Sequence, residues 1–363
     1  MMDAAIEKLL HQGAVIPAHP LALDRDLKLD EMRQRRLTRY YLASGVGGLA
    51  VGVHTTQFAI RRPGVQLLEA VLQLAAEEIT AAQPDRPVIK IAGVCGDTAQ
   101  AVKEAALALK YGYDLGLVSL GALQNQLEDE LIAHIREITA VIPVFGFYLQ
   151  PAAGGRILSY GFWEKLTELP GVHAIKIAPF NRYQTLDVVR AVCHSSRQEE
   201  IALYTGNDDH IVADLLATYA FNVNGKVVEK RFAGGLLGHW SVWTHAAVEL
   251  FGAIKTCIRD NYSTLRELLI KGIMVTDMNA AIFDPAHGFS GSIAGIHEVL
   301  RRQGLLEGTW CLDPGETLSP GQSREIDRVT ALYPQLIDDV FVQDFLKKDR
   351  PLPHPKQLDA SSC

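Results

Sequence analysis

Short apolar runs recur along the first two-thirds of the chain, and each gives way to a stretch with helical spacing. The runs are GAVIPA (13–18), GGLAVGV (47–53), PVIKIAGV (87–94), DLGLVSL (114–120), PVFGFYL (143–149), VHAIKIA (172–178), IALYTG (201–206) and FAGGLLGHW (232–240). They are rich in β-branched and aromatic residues and bounded by Gly or Pro, which is the pattern of buried strands. Between them lie amphipathic segments such as LDEMRQRRLTRYYLAS, which stops at Gly45, and EDELIAHIREI. Further helices are expected from Pro63, from Thr98 with Asp97 or Thr98 as cap, after Asn207 or Asp208, and over SVWTHAAVELFGAIK. The opening MMDAAIEKLLHQG reads as a short charged helix.

Strand alternating with helix implies parallel strands joined by right-handed crossovers. Eight such units in roughly the first 260 residues predict an α/β fold, a closed (β/α)8 TIM barrel. The alternative is an open doubly wound sheet. It would more often place a glycine-rich phosphate loop after the first strand, where this chain has HPLALDRDLKLD. After Asp260 the strand signal fades. DNYSTLRELLIKGI, SIAGIHEVLRRQGLL and QSREIDRVTALYPQLIDDVFVQDFL are helix-like. The expected organisation is a barrel over 1–260, a helical extension packed on it over 261–350, and a flexible Pro-rich tail over 351–363.

Composition narrows the classes. The chain has 363 residues, 48% hydrophobic and 21% charged, with a net charge of −7 and no basic stripe, which argues against a nucleic-acid partner. No apolar run reaches the roughly 18 residues of a membrane span, and the first residues lack the apolar centre of a signal peptide. The five cysteines are isolated in sequence, without metal-ligand spacing; no metal site and a cytoplasmic location are expected.

In a barrel the C-terminal strand ends carry the chemistry. They hold His19, then His54, Thr55 and Thr56, then Cys95, then Tyr148 and Gln150, then Lys176, then Gly206, Asn207 and Asp208, and finally His239 and Trp240. Lys176 lies between Ile175 and Ile177. A lysine in an apolar strand is costly unless paired or uncharged, and an uncharged lysine is a nucleophile. It could attack a ketone and form an iminium, an electron sink that lets a neighbouring C–C bond form or break. Tyr148, at the end of the preceding strand, could move the proton. The bland reading is a lysine that reaches solvent and a tyrosine that packs in the core. Lys90, in the similar VIKIAG, is a rival that pattern alone does not exclude. His54-Thr55-Thr56 could hold a carboxylate, or be a turn that satisfies its own backbone.

These residues resemble the dihydrodipicolinate synthase and N-acetylneuraminate lyase superfamily of class I, pyruvate-type aldolases. ASGVGGLAVGVHTTQFAI is similar to the family's second strand and GTTGE-type loop, and IAGVCGDTAQAVKEAALAL to its third-strand segment. FYLQPA resembles the YNxP motif of the catalytic tyrosine, AIKIAPFN the Schiff-base lysine segment, and YTGNDDHIV the LSGDD turn. The resemblance implies a TIM barrel, usually a homotetramer built from dimers. It implies Lys176 as Schiff-base lysine, Tyr148 as proton-transfer tyrosine, and His54 and Thr55 on the two loop threonines that bind the keto acid's carboxylate. Thr56, Gly206 and Asn207 complete the expected substrate-binding set. No cofactor beyond the covalent lysine adduct is expected.

The departures are specific. His54 replaces the first threonine, and Gln57 the motif's glutamate. SLGALQNQ has no second relay tyrosine, Ala153 falls where synthases have an arginine with Arg156 out of register, and Ile177 replaces a glutamate. They argue against dihydrodipicolinate synthase itself. The expected function is a Schiff-base aldolase or lyase on pyruvate or a 2-keto acid with an aldehyde partner. His54, as a group that titrates near neutrality, stands in for the missing hydroxyl. Alternatives are a keto-deoxy sugar acid dehydratase on the same lysine, or a non-catalytic ligand-binding relative.

Overall fold

Eight parallel strands form one sheet: β1 (Val15–Pro17), β2 (Gly48–Val51), β3 (Ile89–Val94), β4 (Leu115–Val118), β5 (Val144–Leu149), β6 (Val172–Ala178), β7 (Ala202–Thr205) and β10 (Phe232–Leu237). This is a computed structural model of the chain, and it describes residues 2–352. The spatial order runs β1-β10-β7-β6-β5-β4-β3-β2. The ring closes where Gly47 N–H donates to Val15 O (3.1 Å) and His19 N–H to Ala50 O (2.8 Å), beside a parallel bridge between Ala18 and Ala50. The fold is the (β/α)8 barrel expected from eight repeated units.

Helices surround the barrel: α2 (Glu31–Ser44), α3 (Leu68–Ala82), α4 (Thr98–Lys110), α5 (Glu128–Thr139), α6 (Tyr160–Thr167), α7 (Arg182–His194), α8 (Ile211–Leu216) and α9 (Thr244–Arg259). Asp97 caps α4 by accepting from Gln100 N–H at 2.9 Å. Two helix starts differ from expectation. Pro63 lies in a turn, and α3 begins five residues later at Leu68. Asn207 and Asp208 do not cap α8, which begins at Ile211. The first helix, α1 (Ala4–Gln12), is capped by Asp3 and closes the N-terminal end of the barrel. It packs Ile6 and Leu10 on the interior, and Tyr204 donates its hydroxyl to Leu10 O at 2.9 Å. Burying two such side chains contributes about 1.5–3 kcal/mol each.

A hairpin that the pattern analysis missed, β8 (Tyr219–Val223) and β9 (Lys226–Lys230), is inserted before the last barrel strand. Its turn is Asn224-Gly225, both at positive φ (51° and 80°), an Asn-Gly sequence that favours this hairpin geometry.

Beyond Arg259 the chain is helical: α10 (Leu265–Phe283), α11 (Ser292–Arg302), α12 (Gln322–Leu332) and α13 (Asp339–Lys348). These helices share one apolar core with the outer face of the barrel. The last expected helical segment is broken at Pro334 by a short 3-10 turn. Residues 353–363 of the expected flexible tail lie outside the described residues. Among the described residues no helix is long and apolar enough to cross a membrane.

Candidate active site

Strand β6 alternates. Ala174, Lys176 and Ala178 face the barrel interior, while Ile175 and Ile177 pack outward under the helices. In β3 the phase is opposite. Ile89 and Ile91 take the interior, so Lys90 points outward and is no rival. Lys176 reaches the C-terminal mouth, 9% exposed, with its Nζ 4.5 Å from the centroid of the Phe147 ring, its register partner on β5. Among the described residues it has no hydrogen-bond partner. Burial lowers its pKa from the ordinary lysine value, opposed by the negative charge of Asp208. Gly206 leaves the room it needs: a Cβ there would lie 2.6 Å from Lys176 Cε.

Lys176 opens into a cavity that also takes in Ala18, His54, Thr55, Gln150, Gly206 and Asp208. Burial raises the Asp208 carboxyl well above the usual range, opposed by the Lys176 charge and by His239 N–H, which donates to its Oδ1 at 3.2 Å. His54 is lowered to about 4, first by burial and then by Lys176, so it is neutral at physiological pH. The expectation that it titrates near neutrality is therefore corrected. Thr55 donates its hydroxyl to Ala18 O (2.7 Å), so that hydroxyl is engaged within the fold.

Three expected site residues are not brought to Lys176. Tyr148 faces outward: its ring packs on Trp163 at 4.9 Å and its hydroxyl accepts from Leu158 N–H at 3.4 Å. Phe147, one residue earlier, takes the interior position, and a phenyl ring offers no proton. Thr56 ties its own turn together, donating to His19 O (2.6 Å) and accepting from the N–H of Gly52 and Val53. Asn207 is buried, with its amide donating to Asp214 (3.0 Å) and its Oδ1 accepting from Phe180 N–H (3.1 Å). It holds the loop after β6 instead of lining the cavity. His19, Cys95 and Arg156 are structural as well. His19 bonds Pro20 O and Thr38, Cys95 N–H bonds Glu104, and Arg156 holds the carbonyls of Leu123 and Gln126.

Two things were missed in sequence. Asp208 was one of several strand-end residues, and only its place in the LSGDD-like turn singled it out. The extension also builds the cavity wall, supplying Phe283, Phe289, Ser292 and Ile296; nothing local in the sequence joins these to residues over 100 positions earlier. An outer chamber continues past His54 and Ser292 to Arg62, Asp313 and Glu316. Among the described residues, no group of three or more His, Cys, Asp or Glu side chains could hold a metal ion.

Residues 11–225, more than half of the chain, match the sequence model of the Dihydrodipicolinate synthetase family. The chain is 29% identical over 206 residues to the N-acetylneuraminate lyase of Citrobacter koseri, covering 56% of this chain and 65% of that protein. It thus spans slightly less than two-thirds of the length of the curated relatives it matches. In three dimensions it is similar to the dihydrodipicolinate synthase of Oceanobacillus iheyensis (TM-score 0.69, 15% identity, 91% of this chain and 99% of that one). It is similar also to the N-acetylneuraminate lyase of Fusobacterium nucleatum complexed with pyruvate (TM-score 0.69, 18% identity, 90% and 99%). At these identities the structural likeness concerns the fold.

Proposed function

The chain belongs to the dihydrodipicolinate synthetase family, and from that premise we propose that it is a class I lyase that binds pyruvate or another 2-keto acid as a Schiff base on Lys176. The observation that carries this reading is the buried, unpaired amine of Lys176 in a cavity at the C-terminal mouth of the barrel.

The free amine attacks the keto carbon, and the carbonyl oxygen leaves as water after protonation, giving an iminium. Loss of a proton from the adjacent carbon gives an enamine. Its carbon attacks an aldehyde, a C–C bond forms, and the aldehyde oxygen takes a proton. Water then hydrolyses the iminium and frees Lys176; cleavage is the same path reversed. Asp208 is the proton donor and acceptor of this scheme. Burial raises its pKa, so it can hold a proton, and it faces the same cavity as the amine. Neutral His54 is the second proton acceptor, and the N–H groups of His54 and Thr55 hold the keto acid's carboxylate. Tyr148 has no part, because it faces the outer helices. The scheme needs no cofactor beyond the lysine, and its co-substrates are small molecules.

Borohydride reduction in the presence of pyruvate should leave a covalent adduct on Lys176, read by peptide mass spectrometry, and Lys176→Ala should abolish it. A wild-type chain that gives no adduct with any 2-keto acid offered refutes the proposal.

A further inference from the structure

Resting on the Schiff-base reading, we propose that the aldehyde partner is aromatic or otherwise apolar, and not a polyhydroxylated sugar aldehyde. The polar groups of the Schiff-base scheme, Lys176, Asp208, His54 and Thr55, line the inner cavity. The apolar side chains that line it include Phe147, Leu149, Phe180, Phe283, Phe289 and Ile296, and outside the lysine cluster the polar ones are Gln150 and Ser292. A sugar aldehyde would bring several hydroxyls against phenyl faces. Each hydroxyl held within the inner cavity would lose its bonds to water, and one amide and one hydroxyl cannot replace them all. An aryl ring would instead add an edge-to-face neighbour to a wall already arranged that way, since the Phe180 and Phe289 rings meet at 5.8 Å and 66°.

The backbone gives a second, independent observation. Phe180 and Phe289 are both held at positive φ (53° and 68°), a conformation that is costly for a bulky side chain. Each is pinned by its own N–H, Phe180 to Asn207 Oδ1 at 3.1 Å and Phe289 to Asp284 O at 3.0 Å. These two backbones, one after β6 and one between α10 and α11, carry two of the rings that line the cavity. In the condensation the enamine carbon bonds to the aldehyde carbon, the aldehyde oxygen takes the proton of Asp208, and hydrolysis of the iminium releases a 4-hydroxy-2-keto acid with the aryl group on C4.

The test is kcat/KM of the wild-type enzyme for product formation from pyruvate with benzaldehyde and with D-erythrose. The expected ratio is at least about tenfold in favour of benzaldehyde. Phe180→Ser and Phe289→Ser should lower that ratio about fivefold or more, and Phe289→Leu should lower it less, because it keeps the wall apolar. The wild-type ratio does not depend on how the variants fold. An enzyme that traps pyruvate on Lys176 yet condenses D-erythrose as fast as benzaldehyde overturns the substrate class alone. One that traps no keto acid overturns the Schiff-base reading and this inference with it.

Discussion

A Cβ added at Gly206 would sit 2.6 Å from Lys176 Cε and 2.8 Å from Ala178 Cβ. The backbone of Gly206 is not among those at positive φ, so the demand for glycine here is for space. Gly206→Ala should push the lysine stem aside and slow pyruvate trapping by about 100-fold or more, since small displacements of a reacting group are costly. Trapping at the wild-type rate would show that the lysine does not follow this path. The charge around the amine gives a second prediction. Attack needs the free amine, so the trapping rate rises with pH as Lys176 deprotonates. Burial places that rise below the 10.5 of an ordinary lysine. Asp208 acts in the opposite sense, its negative charge favouring the ammonium. In Asp208→Asn the inflection should therefore move to lower pH, while turnover falls by about 10²–10⁴-fold as the proton donor is lost. A pH series of quenched trapping and of turnover checks both, and an inflection moving upward would contradict the assignment. His54, lowered to about 4, should add no inflection between roughly pH 5 and 8.

At the scale of elements, the sequence made strands countable and left their faces hidden. Eight apolar runs became eight barrel strands because each is short, bounded and followed by a helix. Such strands are buried on both faces and carry no alternation of apolar with polar. In FGFYL either Phe147 or Tyr148 could face inward, and a shift of one residue reverses the answer. Motif matching favoured Tyr148, but the strand places Phe145, Phe147 and Leu149 inside and sends Tyr148 to Trp163. The same ambiguity made Lys90 a rival to Lys176 until the phases of β3 and β6 were known. Tyr148→Phe discriminates between the two faces. It removes one long hydrogen bond of 3.4 Å from the outer layer, so pyruvate trapping and turnover should stay within about twofold and stability within about 1 kcal/mol. A loss of turnover of 100-fold would put the tyrosine back at the lysine.

At the scale of the molecule, the segment after Asp260 was legible as helices but not as part of the cavity. Its role depends on contacts between distant residues. Phe283 and Phe289 wall the cavity, Leu312 N–H donates to Gln57 Oε1 at 2.6 Å, and Asp349 pairs with Arg36 and Arg39 on α2. A further buried join is at Asp338, just before α13. It accepts from Tyr40 Oη (2.7 Å), His245 N–H (2.9 Å) and Gln303 Nε2 (2.9 Å), tying α2 and α9 to the C-terminal helices. Asp338→Ala would leave a fully buried tyrosine hydroxyl and a backbone N–H without their acceptor. Unsatisfied buried groups cost about 1–3 kcal/mol each, so the variant should lose about 2–4 kcal/mol of unfolding free energy in urea. Asp338→Asn keeps an acceptor oxygen and should recover part of that loss. Because the same helices carry the cavity wall, Asp338→Ala should also weaken aldehyde binding more than pyruvate trapping. If stability fell while the aldehyde KM stayed unchanged, the extension would brace the barrel without shaping its substrate pocket.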